Sequence, residues 1–321
     1  MAIQFTNGSI SSNEALAWNL LHRAEAVGSN AHYDGPEYST AGVEQVIDDG
    51  VPATLTAACL VLNKAKARFN DHLTRHNGGD NTGTYAHKVV DNANTIAASD
   101  MDTGANYEST ILTALITLVT ELRTDFSNHI ANLKPDGSAS GVHGAADSTN
   151  VLGGAPTLTT AADVAVELNN IKAQYELHRV FTAGGVHGSA DSTNTVTAAN
   201  AVATDWDSMI TLANQLRTKL NAHDADGTAH SVADTFNTVT GSAVSYPSGL
   251  FTLAPAIKTA YEAHRASTTY HATADSTNTL GFSTPVTTIA GLIAAAAEIR
   301  TDLNAHLRFA RTSQAVRILP A

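Results

Sequence analysis

Six stretches of this chain close on a histidine in the same way: AKARFNDH, LRTDFSNH, IKAQYELH, LRTKLNAH, IKTAYEAH and IRTDLNAH, ending at His72, His129, His178, His223, His264 and His306. Three residues before each histidine stands a large apolar side chain (Phe69, Phe126, Tyr175, Leu220, Tyr261, Leu303), and seven before it another apolar residue. Positions i, i+4 and i+7 share one face of an α-helix, so the pattern predicts six amphipathic helices whose final histidine leans toward packed surface. Six before the histidine is always Lys or Arg (Lys66, Arg123, Lys172, Arg217, Lys258, Arg300), which points elsewhere and reads as a solvated or inter-repeat salt-bridging position. Helix starts are also legible. Thr159-Thr160 precedes AADVAVELNNI with Asp163 near the positive helix end, and Ser283-Thr284-Pro285 offers a cap followed by a first-turn proline. Helices of about 20 residues, roughly 30 Å long, follow.

Ahead of the helices the chain repeats a polar motif, H-x3-D-x2-N. Complete copies are His87/Asp91/Asn94, His143/Asp147/Asn150, His187/Asp191/Asn194, His230/Asp234/Asn237 and His271/Asp275/Asn278; a degenerate one begins at His32, with Pro36 in place of the aspartate. From motif histidine to helix histidine the spacing is 40, 42, 35, 36, 34 and 35 residues, whereas from helix histidine to the next motif it is 15, 14, 9, 7 and 7. The near-constant stretch predicts a rigid unit and the variable one a surface turn. Between motif and helix, ADSTNTVT and ADSTNTLG favour extended backbone, and Pro247, Gly249 and Pro255 keep a helix from reaching back to the fourth full motif. Eight to ten extended residues span about 30 Å, the length of one helix. Each unit is therefore expected to run back along the preceding helix and send a new helix alongside in parallel, which gathers the helix-end histidines at one edge; an up-down bundle would divide them between two ends.

The expected fold is mainly α: a tandem repeat array of about six units, each an extended Thr/Asn-rich segment followed by one amphipathic helix. Residues 1–31 form an N-terminal helix and cap carrying His22, the blocks run 32–72, 87–129, 143–178, 187–223, 230–264 and 271–306, and 307–321 is a tail. Trp18 and Trp206 read as core anchors, and the single cysteine, Cys59, as a small core residue.

Three chemistries fit the His/Asp/Asn sets. The first is a structural clasp, in which motif histidine, Asp and Asn bond one another, turn backbone or the open carbonyls of a helix end, with Asn94, Asn150, Asn194, Asn237 and Asn278 as clasp residues. The second is a divalent metal site, the one cofactor considered, whose ligands would be a motif histidine, its Asp and a helix-end histidine. The candidates are His87, Asp91, His129, His143, Asp147, His178, His187, Asp191, His223, His230, Asp234, His264, His271, Asp275 and His306; their spacing matches no compact zinc signature. The third is a pH switch of clustered imidazoles titrating near pH 6.5. An enzyme is not expected, because the polar sets recur where catalysis needs one singular constellation, and no G-x-S-x-G, phosphate-binding loop or dinucleotide fingerprint is present.

Charge and composition narrow the partners. A formal net charge of −12, from 18 basic and 30 acidic residues without a basic cluster, leaves no footprint for nucleic acid or an anionic membrane surface. No signal peptide or transmembrane segment is expected: the N-terminus lacks a basic start, and the most apolar run, Ile289 to Ile299, is far below the roughly 20 residues of a span.

Units of the form H-x3-D-[ST]-T-N-T-V-T-A followed by a helix ending N-A-H resemble repeats of structural proteins from tailed bacteriophages, and they cover nearly everything from His32 to His306. The resemblance implies a virion component of the tail, neck, fibre or capsid-decoration class, partnered by itself as a homo-oligomer and by other virion proteins. The runner-up is an extracellular or surface adhesive repeat protein that binds divalent metal through the His/Asp sets.

Overall fold

A computed structural model describes residues 47–74, 90–102, 104–271 and 274–307. The described residues are mainly helical: α1 (Leu55–Leu73), α2 (Gly104–Ile130), α3 (Ala161–His178), α4 (Trp206–Asp224), α5 (Leu253–Arg265) and α6 (Ile289–Leu307). Between them lie extended segments and turns, with two isolated β-bridges, Leu133 to Ala139 and Val202 to Asp205, and no β-strand among the described residues. The chain divides into two compact units, one from Met1–Gly104 with Gly249–Ala321, the other Ala105–Ser248. Each therefore centres on three helices, α1, α5 and α6 in the first and α2, α3 and α4 in the second.

Every helix buries a stripe at alternating three- and four-residue steps that ends on its histidine: Ala58, Leu62, Ala65, Phe69 and His72 in α1; Val164, Leu168, Ile171, Tyr175 and His178 in α3; Met209, Ala213, Leu216, Leu220 and His223 in α4. That seven-residue period is a coiled-coil seam. Equivalent layers meet: Phe69 packs edge-on against Tyr261 at 6.0 Å, Phe126 against Tyr175 at 6.2 Å, and the histidines form the next layer. Helices whose last layers coincide run the same way, so within each unit the packing is parallel. Cys59 is buried in α1, as expected of a small core residue.

Helix lengths follow local chemistry. α3 starts on a capping box between Thr160 and Asp163, as its sequence predicts. α5, with Pro255 in its first turn, is the shortest at 13 residues, and α2 at 27 exceeds the expected 20. α6 begins at Ile289, not behind Pro285: the Thr288 hydroxyl accepts from the Gly291 N–H and supplies the cap. Trp206 opens α4 half-buried, so it is no core anchor. Trp18, His22, His32, Pro36 and His87 lie outside the described residues.

Extended segments return along the preceding helix, held by side chains at two recurring positions. Two residues before the helix histidine, Asn70, Asn221 and Asn304 each exchange a pair of hydrogen bonds with one backbone residue: Ile96, Val239 and Ile47. Nine before it, Asn63, Asn169 and Asn214 do the same with Met101, Ala201 and Val244. The two positions are two helical turns apart, on one face. The minus-six cations serve this segment too, which corrects the solvated reading, while Arg123 with Glu167 and Lys66 with Asp100 form salt bridges of the expected inter-repeat kind. Lys172 donates to Ala198 O (2.6 Å), Arg217, Lys258 and Arg300 to carbonyls of Gly241, Phe282 and Asp49, Arg123 to Gly153 O and Glu167, and Lys66 to Asp100. A segment that follows a helix thus belongs structurally with that helix, while the segment at Ile47 and Asp49, ahead of α1, is pinned to α6. This is why both unit boundaries, at 104/105 and 248/249, fall inside the sequence blocks 87–129 and 230–264.

Candidate metal centre

Each motif aspartate first builds a turn. Asp191 Oδ1 accepts the N–H groups of Thr193 (2.9 Å) and Asn194 (3.0 Å), while Oδ2 accepts from Asn194 Nδ2 at 2.8 Å. Asp91, Asp147, Asp234 and Asp275 do the same with Asn94, Asn150, Asn237 and Asn278. The aspartate's own N–H then caps the preceding helix, donating to the carbonyl just past the helix histidine: Asp91 to Leu73, Asp147 to Ile130, Asp191 to Arg179, Asp234 to Asp224 and Asp275 to Arg265.

The same carboxylate reaches a second helix. His178 Nδ1 lies 2.8 Å from Asp147 Oδ2, His223 Nδ1 2.9 Å from Asp191 Oδ2, and His129 Nδ1 2.9 Å from Asp234 Oδ2. The third bond returns to the first helix, so the second unit is closed into a circuit: each motif clasps the helix before it by backbone and the next by side chain. In the first unit His306 pairs with Asp275 (2.8 Å) and His264 with Asp91 (2.7 Å), while His72 Nε2 lies 3.1 Å from His264 Nε2.

These bonds set the imidazoles' chemistry. A carboxylate accepts, so Nδ1 carries the proton and Nε2 of the neutral ring keeps its lone pair, turned away from the aspartate. In the second unit Nε2 of His129, His178 and His223 is buried without a partner, as are both ring nitrogens of His143 and His230 and Nε2 of His187, whose Nδ1 donates to Phe181 O at 2.9 Å. Burial is the main force on their protonation. It holds His143, His178 and His230 down to about 3, His187 to about 4 and His129 well below the usual value, aided by the neighbouring imidazoles. For Asp147 and Asp191, burial pushes upward but is outweighed by hydrogen bonds from His178 and His223 and from the motif asparagines, leaving both below the usual carboxylate range. The His178–Asp147 pair is therefore a neutral imidazole and an ionised carboxylate.

Buried ring nitrogens facing one another could hold a metal ion. Two such sets occur in the second unit, His129/His187/His223/His230 and His129/His143/His178/His187, and one in the first, His72/His264/His271/His306; within each the ligand atoms lie within 4.8 Å of one another. The expected ligand trio of motif histidine, its Asp and a helix-end histidine does not form these sets. The motif aspartates bond Nδ1 and stand behind the rings, the carboxylate–histidine arrangement that orients metal ligands. The switch near pH 6.5 is also corrected, since burial places the folded-state titration of these rings at about 3 to 4.

One departure from three-fold regularity was invisible in the motif. Asp224, at a position held by Arg179 and Arg265 in other helices, is buried with Oδ1 3.2 Å from His129 Nδ1, and with Asp234 and His129 it makes a further potential ligand set. Burial, with repulsion from Asp234 and Asp125, pushes its carboxyl well up, and burial with Glu121 and Asp234 raises Asp125 to about 7. No helix among the described residues is long and apolar enough to cross a membrane. No family model matches the chain, and no curated protein or solved structure is significantly similar to it.

Proposed function

We propose that this chain is a non-enzymatic structural component of a bacteriophage virion, of the tail, neck, fibre or capsid-decoration class, assembling with itself and with other virion proteins through its six repeated helical units. In this reading the histidine clusters hold divalent metal, and the metal stiffens a unit from within. The observation that carries the structural role is the closed circuit of Asp147–His178, Asp191–His223 and Asp234–His129 bonds. The polar residues are spent on tying three helices to each other, and the same chemistry recurs in the first unit instead of converging on one exposed cleft. A scaffold repeats its fastening, whereas a catalyst concentrates its groups.

Sedimentation of the purified protein over a wide concentration range, together with electron microscopy of phage particles labelled by an antibody to it, tests the role. Self-association and particle labelling are expected; a chain that stays monomeric at high concentration and labels no particle overturns the proposal. For the metal, equilibration with EDTA at neutral pH should lower the melting temperature, since a ligand at 100 times its Kd contributes about 2.7 kcal/mol. An unchanged melt removes the metal from the reading.

A further inference from the structure

We propose that the six imidazoles of the second unit form a single octahedral site for one divalent first-row ion, bound through six nitrogens. The proposal rests on the metal reading above and specifies its coordination. His129, His178 and His223, from the helix ends, make one triangle with ring centroids 5.2, 5.3 and 5.5 Å apart. His143, His187 and His230, from the motifs, make another at 4.9, 5.0 and 5.0 Å. Between the triangles, rings meet at 4.5 to 5.2 Å. All pairs are in ring contact except His129 with His187, His143 with His223 and His178 with His230. That is the connectivity of an octahedron, in which a corner touches every other corner but the one across from it.

The nitrogens agree. The two four-histidine sets share His129 and His187 and together contain all six residues, with His129 and His187, an opposed pair, within 4.8 Å. Imidazoles at about 2.1 Å from a common ion place opposed nitrogens about 4.2 Å apart, so closing the cage on an ion needs a contraction of under about 1 Å. All six rings offer an unpartnered buried Nε2. Behind the helix-end triangle stand Asp234, Asp147 and Asp191, each bonded to one Nδ1, which fix the rings and offset the charge of the ion. The first unit repeats the pattern. Among His72, His264, His271 and His306 the rings meet at 4.5 to 5.6 Å, and the pair not in ring contact, His72 with His271, is the positional equivalent of His129 with His187.

Six imidazole nitrogens suit Fe2+, Co2+ or Ni2+, whereas zinc in protein sites is almost always four-coordinate. A shell filled by the protein leaves no position for a substrate, as in other closed structural sites.

Cobalt reads out the geometry directly. The full-length protein, stripped of metal and titrated with Co2+ alone, is compared with His143→Ala and His230→Ala; neither ring takes part in the Asp234–His129, Asp147–His178 or Asp191–His223 bonds, so the clasps stay intact in both variants. The contribution of the second unit is the difference between wild type and variant. We expect the weak pink absorption of six-coordinate cobalt, a six-nitrogen shell by X-ray absorption, and at least a tenfold loss of cobalt affinity in either variant. Intense blue four-coordinate bands, or cobalt bound equally well by both variants, overturn the octahedral site while leaving metal binding in place. No cobalt, nickel, iron or zinc taken up by the wild-type protein overturns both.

Discussion

Asp191 does the work of two residues, because one carboxylate oxygen serves two donors on different elements. Oδ2 accepts from Asn194 within the motif and from His223 on α4, while Oδ1 holds the turn. An amide at this position presents one accepting oxygen and a donating nitrogen, so either the turn N–H groups of Thr193 and Asn194 or the two side-chain donors sharing Oδ2, His223 and Asn194, lose their acceptor inside the core. Asp191→Asn is expected to lower the stability to urea by about 2 to 3 kcal/mol, the scale for losing a buried hydrogen bond to a charged group. Ser192→Ala, at the exposed neighbouring position, should change it by under about 0.5 kcal/mol. Equal unfolding midpoints for Asp191→Asn and the wild type would remove the clasp from the account. The histidine, aspartate and asparagine were readable as a polar set because they recur at fixed spacing; that aspartate backs the imidazole and the imidazoles face each other was not, because spacing along a chain does not say which ring nitrogen faces which neighbour. Asp224 carried no repeating signal at all.

At the scale of elements, the helices were legible from the three-four apolar rhythm that closes on each histidine, and the returning extended segments from their Thr-rich composition and their length. What ties segment to helix lies outside that rhythm: asparagine recurs two and nine residues before the histidine, a polar line beside the apolar stripe. Asn214 Oδ1 accepts the Val244 N–H at 2.8 Å and its Nδ2 donates to Val244 O at 2.9 Å, replacing the partners that a neighbouring strand would otherwise supply. Asn214→Leu keeps similar bulk and strands both backbone groups. It should speed hydrogen exchange at Val244 at least tenfold, with a stability loss of about 1 to 3 kcal/mol, while Val239, pinned separately by Asn221, keeps its protection. Equal acceleration at both amides would mean that the segment opens as one piece and that the asparagines are not independent pins.

Closure is a property of the whole unit, and it joins residues too distant for any local pattern to report: His129 meets Asp234 across 105 positions and His264 meets Asp91 across 173. It also fixes how the metal-free molecule answers acid. In the second unit burial depresses His129, His143, His178, His187 and His230, so below pH 6.5 the unfolded chain takes up protons that the folded unit refuses, and stability falls until the folded rings titrate at about 3 to 4. Asp125, raised to about 7, and Asp224, pushed well above the usual carboxylate range by burial, act in the opposite sense, because the folded unit keeps protons there that the unfolded chain has released above pH 3.8. Five imidazoles against two carboxyls leave a net deficit of about three protons, a slope of up to roughly 4 kcal/mol per pH unit at its steepest. Against a total stability of about 5 to 15 kcal/mol, the second unit should unfold between pH 6.5 and 4, well above the range in which the clasp aspartates would protonate. Circular dichroism during a pH titration in EDTA, with Asp125→Asn to remove one opposing group, measures this. The variant, neutral there at every pH, should gain stability near pH 7, lose it more steeply and unfold at a pH no higher than the wild type, and a midpoint for the wild type below pH 3 would show that the imidazoles are not held neutral by burial.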